Sequence, residues 1–119
     1  MGRFSTLKKS GEFGYIYNNS KKSHSNYFIL FYKRANQKKI GFTASKKVGN
    51  AVKRNFAKRR LRSLFLEFEE SILDGSYILV AKKQILDAPF LEVKKSLNFS
   101  LKKVSAIDNN AKKNNFKNH

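Results

Sequence analysis

Apolar residues recur along this chain with a spacing that changes from segment to segment, and the changes mark the elements. Phe13, Ile16 and Tyr17 stand at i, i+3 and i+4 behind Ser10, a residue able to cap a helix, with Glu12 near the positive end of its dipole; a short helix is predicted there. Tyr27 to Lys33 is an unbroken run of aromatic and branched residues, the pattern of a strand covered on both faces. The polar stretch Ala35-Asn36-Gln37-Lys38 reads as a turn. Lys39 to Ser45 follows as a strand in which Ile40, Phe42 and Ala44 alternate with Gly41 and Thr43, so the two strands are expected to pair as a hairpin.

Gly49 and Asn50 break the chain and cap the longest helix, expected from Ala51 to Ile72. Ala57, Leu61, Leu64, Phe65, Phe68 and Ile72 form its buried stripe, and Glu67, Glu69, Glu70 and the Asp74-Gly75 pair help to close it. Tyr77 to Ala81 is a third strand. Asp87 and Pro89 introduce a final helix with Phe90, Val93, Leu97, Leu101 and Val104 on its inner side. The pattern describes one α+β domain over residues 1–107, followed by an Asn/Lys-rich tail, 108–119, expected to be disordered.

Charge changes this picture from a generic small domain to a binding surface. The 119 residues carry 26 Lys+Arg against 8 Asp+Glu, a formal net charge of +18, which points to a polyanionic partner. Residues 1–63 hold 17 of the basic residues and one acid, Glu12, and eight cations with no acid lie between Lys46 and Arg62. Solvated surfaces mix both signs, so this segment reads as an electrostatic footprint. There is no cysteine, which excludes disulfides, thiol nucleophiles and Cys-containing zinc sites and fits a reducing, intracellular setting. The longest apolar run, Tyr27 to Tyr32, is far shorter than the ~20 residues of a membrane-spanning helix, so no membrane partner is expected.

Within the footprint, Asn55, Lys58, Arg59 and Arg62 fall at i, i+3, i+4 and i+7 and form a ridge beside the buried stripe. Arg offers a planar fork to phosphate oxygens, Lys a mobile charge, and Asn a bond to phosphate or base edge. Upstream, Ser45 to Asn50 brings backbone amides, Lys46 and Lys47 to a helix start, where an anion is favoured. A protein active site is not found. His24 sits in a polar loop without acids at metal spacing, His119 is terminal, and Glu67 with Glu70 is a lone pair of acids near a helix end. The aromatic residues leave two readings open: Phe13, Tyr17 and Phe31, the last sharing a strand face with Tyr27 and Ile29, either pack in the core or line a groove on which single-stranded nucleic acid stacks.

The segment from Ser45 to Arg62, SKKVGNAVKRNFAKRRLR, closely resembles the signature of the bacterial ribonuclease P protein subunit, and the order of elements extends the resemblance over approximately residues 4–106. It implies a two-layer α/β sandwich, a small mixed sheet packed with about three helices, with a left-handed βαβ crossover through the long helix against the usual right-handed rule. It also implies a non-catalytic subunit of an RNA-based endoribonuclease: the catalytic RNA, with Mg2+, removes the 5′ leader of precursor tRNA, while the protein binds that RNA and the leader and helps to bind substrate and metal, with no protein-bound cofactor and no metal-ligating residue of its own predicted. Carried over by position, Lys46, Lys47, Gly49 and Asn50 match the loop, and Lys53, Arg54, Asn55, Lys58, Arg59 and Arg62 the RNA-contacting helix. Phe13, Tyr17 and Phe31 match the leader cleft, which favours the groove reading. Phe56 departs from the pattern, standing where the family often has arginine. The rival readings are a ribosomal protein, a stand-alone nuclease using Glu67 or Glu70, and a general DNA-binding module.

Overall fold

In a computed structural model the residues described, 3–108, form β1 (Ser5–Thr6), α1 (Ser10–Asn19), β2 (Lys21–His24), β3 (Phe28–Arg34), β4 (Lys38–Ala44), α2 (Ala51–Leu66), β5 (Gly75–Ala81) and α3 (Phe90–Lys103). The strands make one mixed sheet in the order β1-β4-β5-β3-β2. β4 runs parallel to both β1 and β5, while β3 is antiparallel to β5 and β2. The α+β class and the mixed sheet with three helices are as expected, and α2 supplies the crossover between the parallel neighbours β4 and β5.

The expected hairpin does not form, because β5 lies between β3 and β4. Tyr77, Ile78 and Leu79 of β5 are fully buried, so this strand is apolar on both faces and most stable with both edges paired. The link after β3 passes over the start of β5 instead of turning back on itself. Arg34 and Lys38 both pair with Gly75, whose amide donates to the Gln37 carbonyl at 2.6 Å. Gly75 has φ +151°, and a Cβ there would stand 2.5 Å from the Lys33 carbonyl oxygen, so glycine is required at this crossing.

On one face of the sheet, Phe28, Leu30, Tyr32, Ile40, Tyr77, Leu79 and Ala81 meet α2 and α3, and this sandwich encloses the larger core. The α2 stripe is buried as expected, but the helix ends at Leu66 and tightens into a 3-10 turn at Glu69–Ser71, which still carries Phe68 and Ile72 inward. On α3, Val93, Leu97, Leu101 and Val104 are buried, while Phe90, in the first turn, is 36% exposed and not part of the inner side. Tyr32 and Tyr77 lie with ring centroids 4.7 Å apart and donate to the carbonyls of Asp74 and Leu73. Burial pushes both phenols above their ordinary range, so they stay neutral donors.

The opposite face carries α1, which covers only part of it through Leu7, Ile16 and Ile78, with Phe13, Phe31 and Val80 packed around them. Lys9, not Ser10, occupies the cap position of α1, and its amide donates to Glu12 Oε1 at 3.3 Å. After α3 the chain reverses through Ser105 at φ +61°, with the Ala106 amide bonded to the Leu101 carbonyl, and returns to pair Ile107 with Ile72. The left-handed backbone at Ser105 costs about 1–2 kcal/mol in a non-glycine residue, partly offset by glycine's larger unfolded-state entropy. Ser105→Gly should therefore raise stability by about 0.5–1 kcal/mol, read as a higher urea midpoint at unchanged slope. Asp108, the first residue of the expected tail, has its amide bonded to the Ser71 carbonyl; the rest of the tail, 109–119, lies outside the described residues.

Candidate nucleic-acid interface

The three aromatic residues singled out in the sequence meet in one row. Phe13 and Tyr17, one turn apart on α1, have ring centroids 6.4 Å apart, and Tyr17 stands edge-on to Phe31 of β3 at 4.8 Å. Phe13 and Phe31 are half-buried against the smaller core, whereas Tyr17 is 38% exposed. Beside them runs a shallow groove lined by Lys8, Ser10, Phe13, Gly14, Tyr17 and Thr43. Tyr27 does not share this face: its strand starts only at Phe28, and Tyr27 turns toward the main core, its hydroxyl donating to Glu92 of α3 at 3.0 Å.

The groove also depends on a residue outside the expected set. A Cβ on Gly41 would lie 2.6 Å from the Phe13 ring, so the bare backbone of β4 is what lets α1 approach. A glycine inside an alternating strand is the sequence signal for such a close approach.

Past Thr43, β4 leads into the loop from Ser45 to Asn50. Val48 is its anchor, 1% exposed, and it leaves Lys46 and Lys47 in solvent. Within the loop, three amides are already paired. Val48 and Gly49 donate to the carbonyls of Ser45 and Lys46, and the Lys47 amide to Ser45 Oγ. Gly49 takes φ +149° with the Lys53 side chain packed against it. Asn50 caps α2 by accepting from the Lys53 amide at 3.0 Å, and Arg54 reaches back to the Gly49 carbonyl at 3.0 Å. Gly49, Asn50 and Arg54 thus set the loop's shape, while Lys53 and the ridge of Asn55, Lys58, Arg59 and Arg62 extend along α2. Asn55, Arg59 and Arg62 are exposed, Lys58 is half-buried, and the Arg62 guanidinium lies 5.2 Å from the ring centre of Phe42.

The acids considered for chemistry are each paired with a different cation. Glu67 pairs with Lys94 at 2.6 Å and Glu70 with Arg3 at 3.5 Å. Glu69, expected to help close the long helix, is instead buried, and its carboxylate accepts from the amides of Arg3 and Phe4, pinning the N-terminal segment whose Phe4 ring packs on Phe65 and Tyr77. His24 is exposed on β2. His119 lies outside the described residues. Among the described residues no helix is long and apolar enough to cross a membrane.

Comparison with known proteins bears on the family and the fold. The family model described as Ribonuclease P matches residues 1–105. The ribonuclease P protein component of Nitratiruptor sp. is 42% identical over 99 residues, covering 83% of this chain and 91% of the relative, and that of Listeria welshimeri is 37% identical over 100 residues, covering 81% and 84%. Among solved structures, the Staphylococcus aureus RNase P protein superposes with a TM-score of 0.75 at 28% identity, over 87% of this chain and 97% of that one. The Thermotoga maritima RNase P protein, at 22% identity and a TM-score of 0.70 over 81% of this chain and 94% of that one, shares the fold. A family match along nearly the whole length, together with relatives of this identity and coverage, settles the assignment: the chain belongs to the ribonuclease P protein components, the protein part of a tRNA-processing ribonucleoprotein.

Proposed function

We propose that this protein acts in the cytoplasm as the non-catalytic subunit of ribonuclease P, binding the catalytic RNA with its loop and α2 and the 5′ leader of precursor tRNA in the groove beside α1. The observation that carries the reading is the row of Phe13, Tyr17 and Phe31, on a sheet face that α1 leaves partly open and that leads along β4 into the acid-free segment Lys46 to Arg62. Rings stack on unpaired bases without regard to sequence, and cations alongside hold the phosphates, which suits a leader of variable sequence. Lys46, Lys47, Lys53, Asn55, Lys58, Arg59 and Arg62 meet the RNA directly. Gly49, Asn50 and Arg54 hold the loop in the conformation that presents them.

Hydrolysis belongs to the RNA with its magnesium ions. This division is supported by the two acids weighed for a protein-borne reaction, each engaged by a different cation, Glu67 by Lys94 and Glu70 by Arg3.

The test is cleavage of a 5′-extended tRNA at low magnesium by the ribonuclease P RNA with and without the protein, beside a protein-only control. Stimulation in the mixture alone is expected; cleavage by protein alone would overturn the assignment of the chemistry to RNA. Phe13→Ala should weaken binding of the precursor by about 1–3 kcal/mol while leaving mature tRNA nearly unchanged. Equal losses for the two substrates would remove the leader from the groove.

A further inference from the structure

Phe56 and Val52 are the unexplained residues of α2. Apart from Leu66 at its C-terminal end, the helix presents a largely cationic surface over a buried stripe, yet Val52 is 76% exposed and Phe56 41% exposed, one turn apart and outside the core. The neighbours of Phe56 on the helix surface are Lys53 and Arg59 at i−3 and i+3, and Val52 and Arg60 at i−4 and i+4. An aromatic ring set among three cations is therefore offered to solvent, in a helix without an acid.

Arg60 is held differently from the rest of the cations. Its Nη1 donates to the carbonyls of Ile85 and Ala88, both at 2.7 Å, in the segment leading into α3, and its guanidinium carbon lies 5.9 Å from the centre of the Phe56 ring. Tied to two main-chain oxygens, that guanidinium is a fixed backing for the ring. The ring gains a defined position at little further entropic cost on binding.

We propose that Phe56, backed by Arg60 and extended by Val52, is a stacking platform for one unpaired nucleobase of the RNA that α2 faces, with Lys53 and Arg59 holding the phosphates on either side of that nucleotide. Lys53 and Arg59 are six residues apart, about 9 Å along the helix axis, within the reach of two long side chains converging on one nucleotide. This site is separate from the groove, which lies on the sheet face opposite α2. The surrounding charge selects the occupant: an apolar protein surface would leave Lys53 and Arg59 without counter-charges, whereas a nucleotide supplies a ring and phosphates together. The inference rests on the proposed RNA-facing role of α2.

The sequence contains no tryptophan, so Phe56→Trp introduces a single indole at the platform. The full-length protein is titrated with ribonuclease P RNA, following both indole fluorescence and affinity for Phe56→Trp, Phe56→Leu and Phe56→Ala, with thermal melts confirming that each variant is folded. Stacking predicts that the RNA quenches the indole and shields it from acrylamide, that Phe56→Trp binds within about twofold of the parent, and that Phe56→Leu and Phe56→Ala both bind about 5- to 150-fold more weakly. Parental affinity for Phe56→Leu would overturn stacking in favour of apolar contact alone, and an indole unaffected by bound RNA would overturn the platform altogether. Failure of the parent protein itself to bind this RNA would overturn the RNA-facing role of α2, a result distinct from both.

Discussion

Phe65→Ala is expected to destabilise the protein by about 3–5 kcal/mol, enough to leave a domain of this size marginal or unfolded at room temperature. Phe65 is 1% exposed and its ring meets three others, Phe4 at 5.2 Å, Tyr77 at 5.6 Å and Phe42 at 6.1 Å, so it ties the N-terminal segment, β5 and β4 to α2. Truncation removes the transfer free energy of the ring and leaves a cavity whose walls come from four different elements, which limits collapse. The neighbouring Leu66, 45% exposed, is the control, and Leu66→Ala should change stability by less than about 1 kcal/mol. Urea and thermal unfolding followed by circular dichroism check both: the Phe65 variant should lose roughly 15–25 °C in melting temperature with little change in the denaturant slope. The defect also reaches the interface, because Phe42 is the ring beneath Arg62.

What could be read from the sequence follows from how local each signal is. The stripe from Ala57 to Ile72 is a helical periodicity complete within its own segment, and every member is buried, even though the α-helix ends at Leu66 and a 3-10 turn follows Phe68. The expected pairing of β3 with β4 fails because a short polar link between two strands resembles a hairpin turn whether or not a third strand comes between them. The deciding fact lies far along the sequence, in the two-faced burial of β5 and in Gly75, which reads locally as a helix terminator and acts as the crossing point for two neighbouring strands. The short strands β1 and β2 have no apolar alternation to announce them. Ser23, the one buried residue of β2, bonds Ser100 of α3 at 3.2 Å, a contact across 77 residues.

The candidate site is legible in its residue types but not in its division of roles. The cations from Lys46 to Arg62 are evident in composition and spacing. Which of them bind outward and which hold the protein's own backbone is not, since Arg54 and Arg60 turn to main-chain carbonyls while Arg59 stays in solvent. The aromatic row requires α1 and β3 to meet across the sheet, and that approach depends on Gly41, whose place in an alternating strand signals a close approach without naming the element that makes it.

Replacing Lys58, Arg59 and Arg62 together by Gln separates the electrostatic role of α2 from its structural one, because the two respond in opposite directions. None of the three has an acidic partner within 4 Å among the described residues, and the chain carries +18, so removing three cations relieves self-repulsion and should leave folding stability unchanged or slightly higher. Binding to ribonuclease P RNA should fall by roughly 10³-fold at low salt, at about 1.5 kcal/mol for each charge-assisted hydrogen bond removed. Salt dependence then identifies phosphates as the partners. Each neutralised phosphate adds about 0.7 to the slope of log affinity against log salt for single strands, so the variant's slope should be about 2 units shallower. Between 50 mM and 200 mM salt that difference makes the gap between parent and variant shrink roughly 20-fold. A gap that stays constant with salt would mean that these side chains bond to bases or sugars, and the ridge would then read RNA shape or sequence instead of neutralising its backbone.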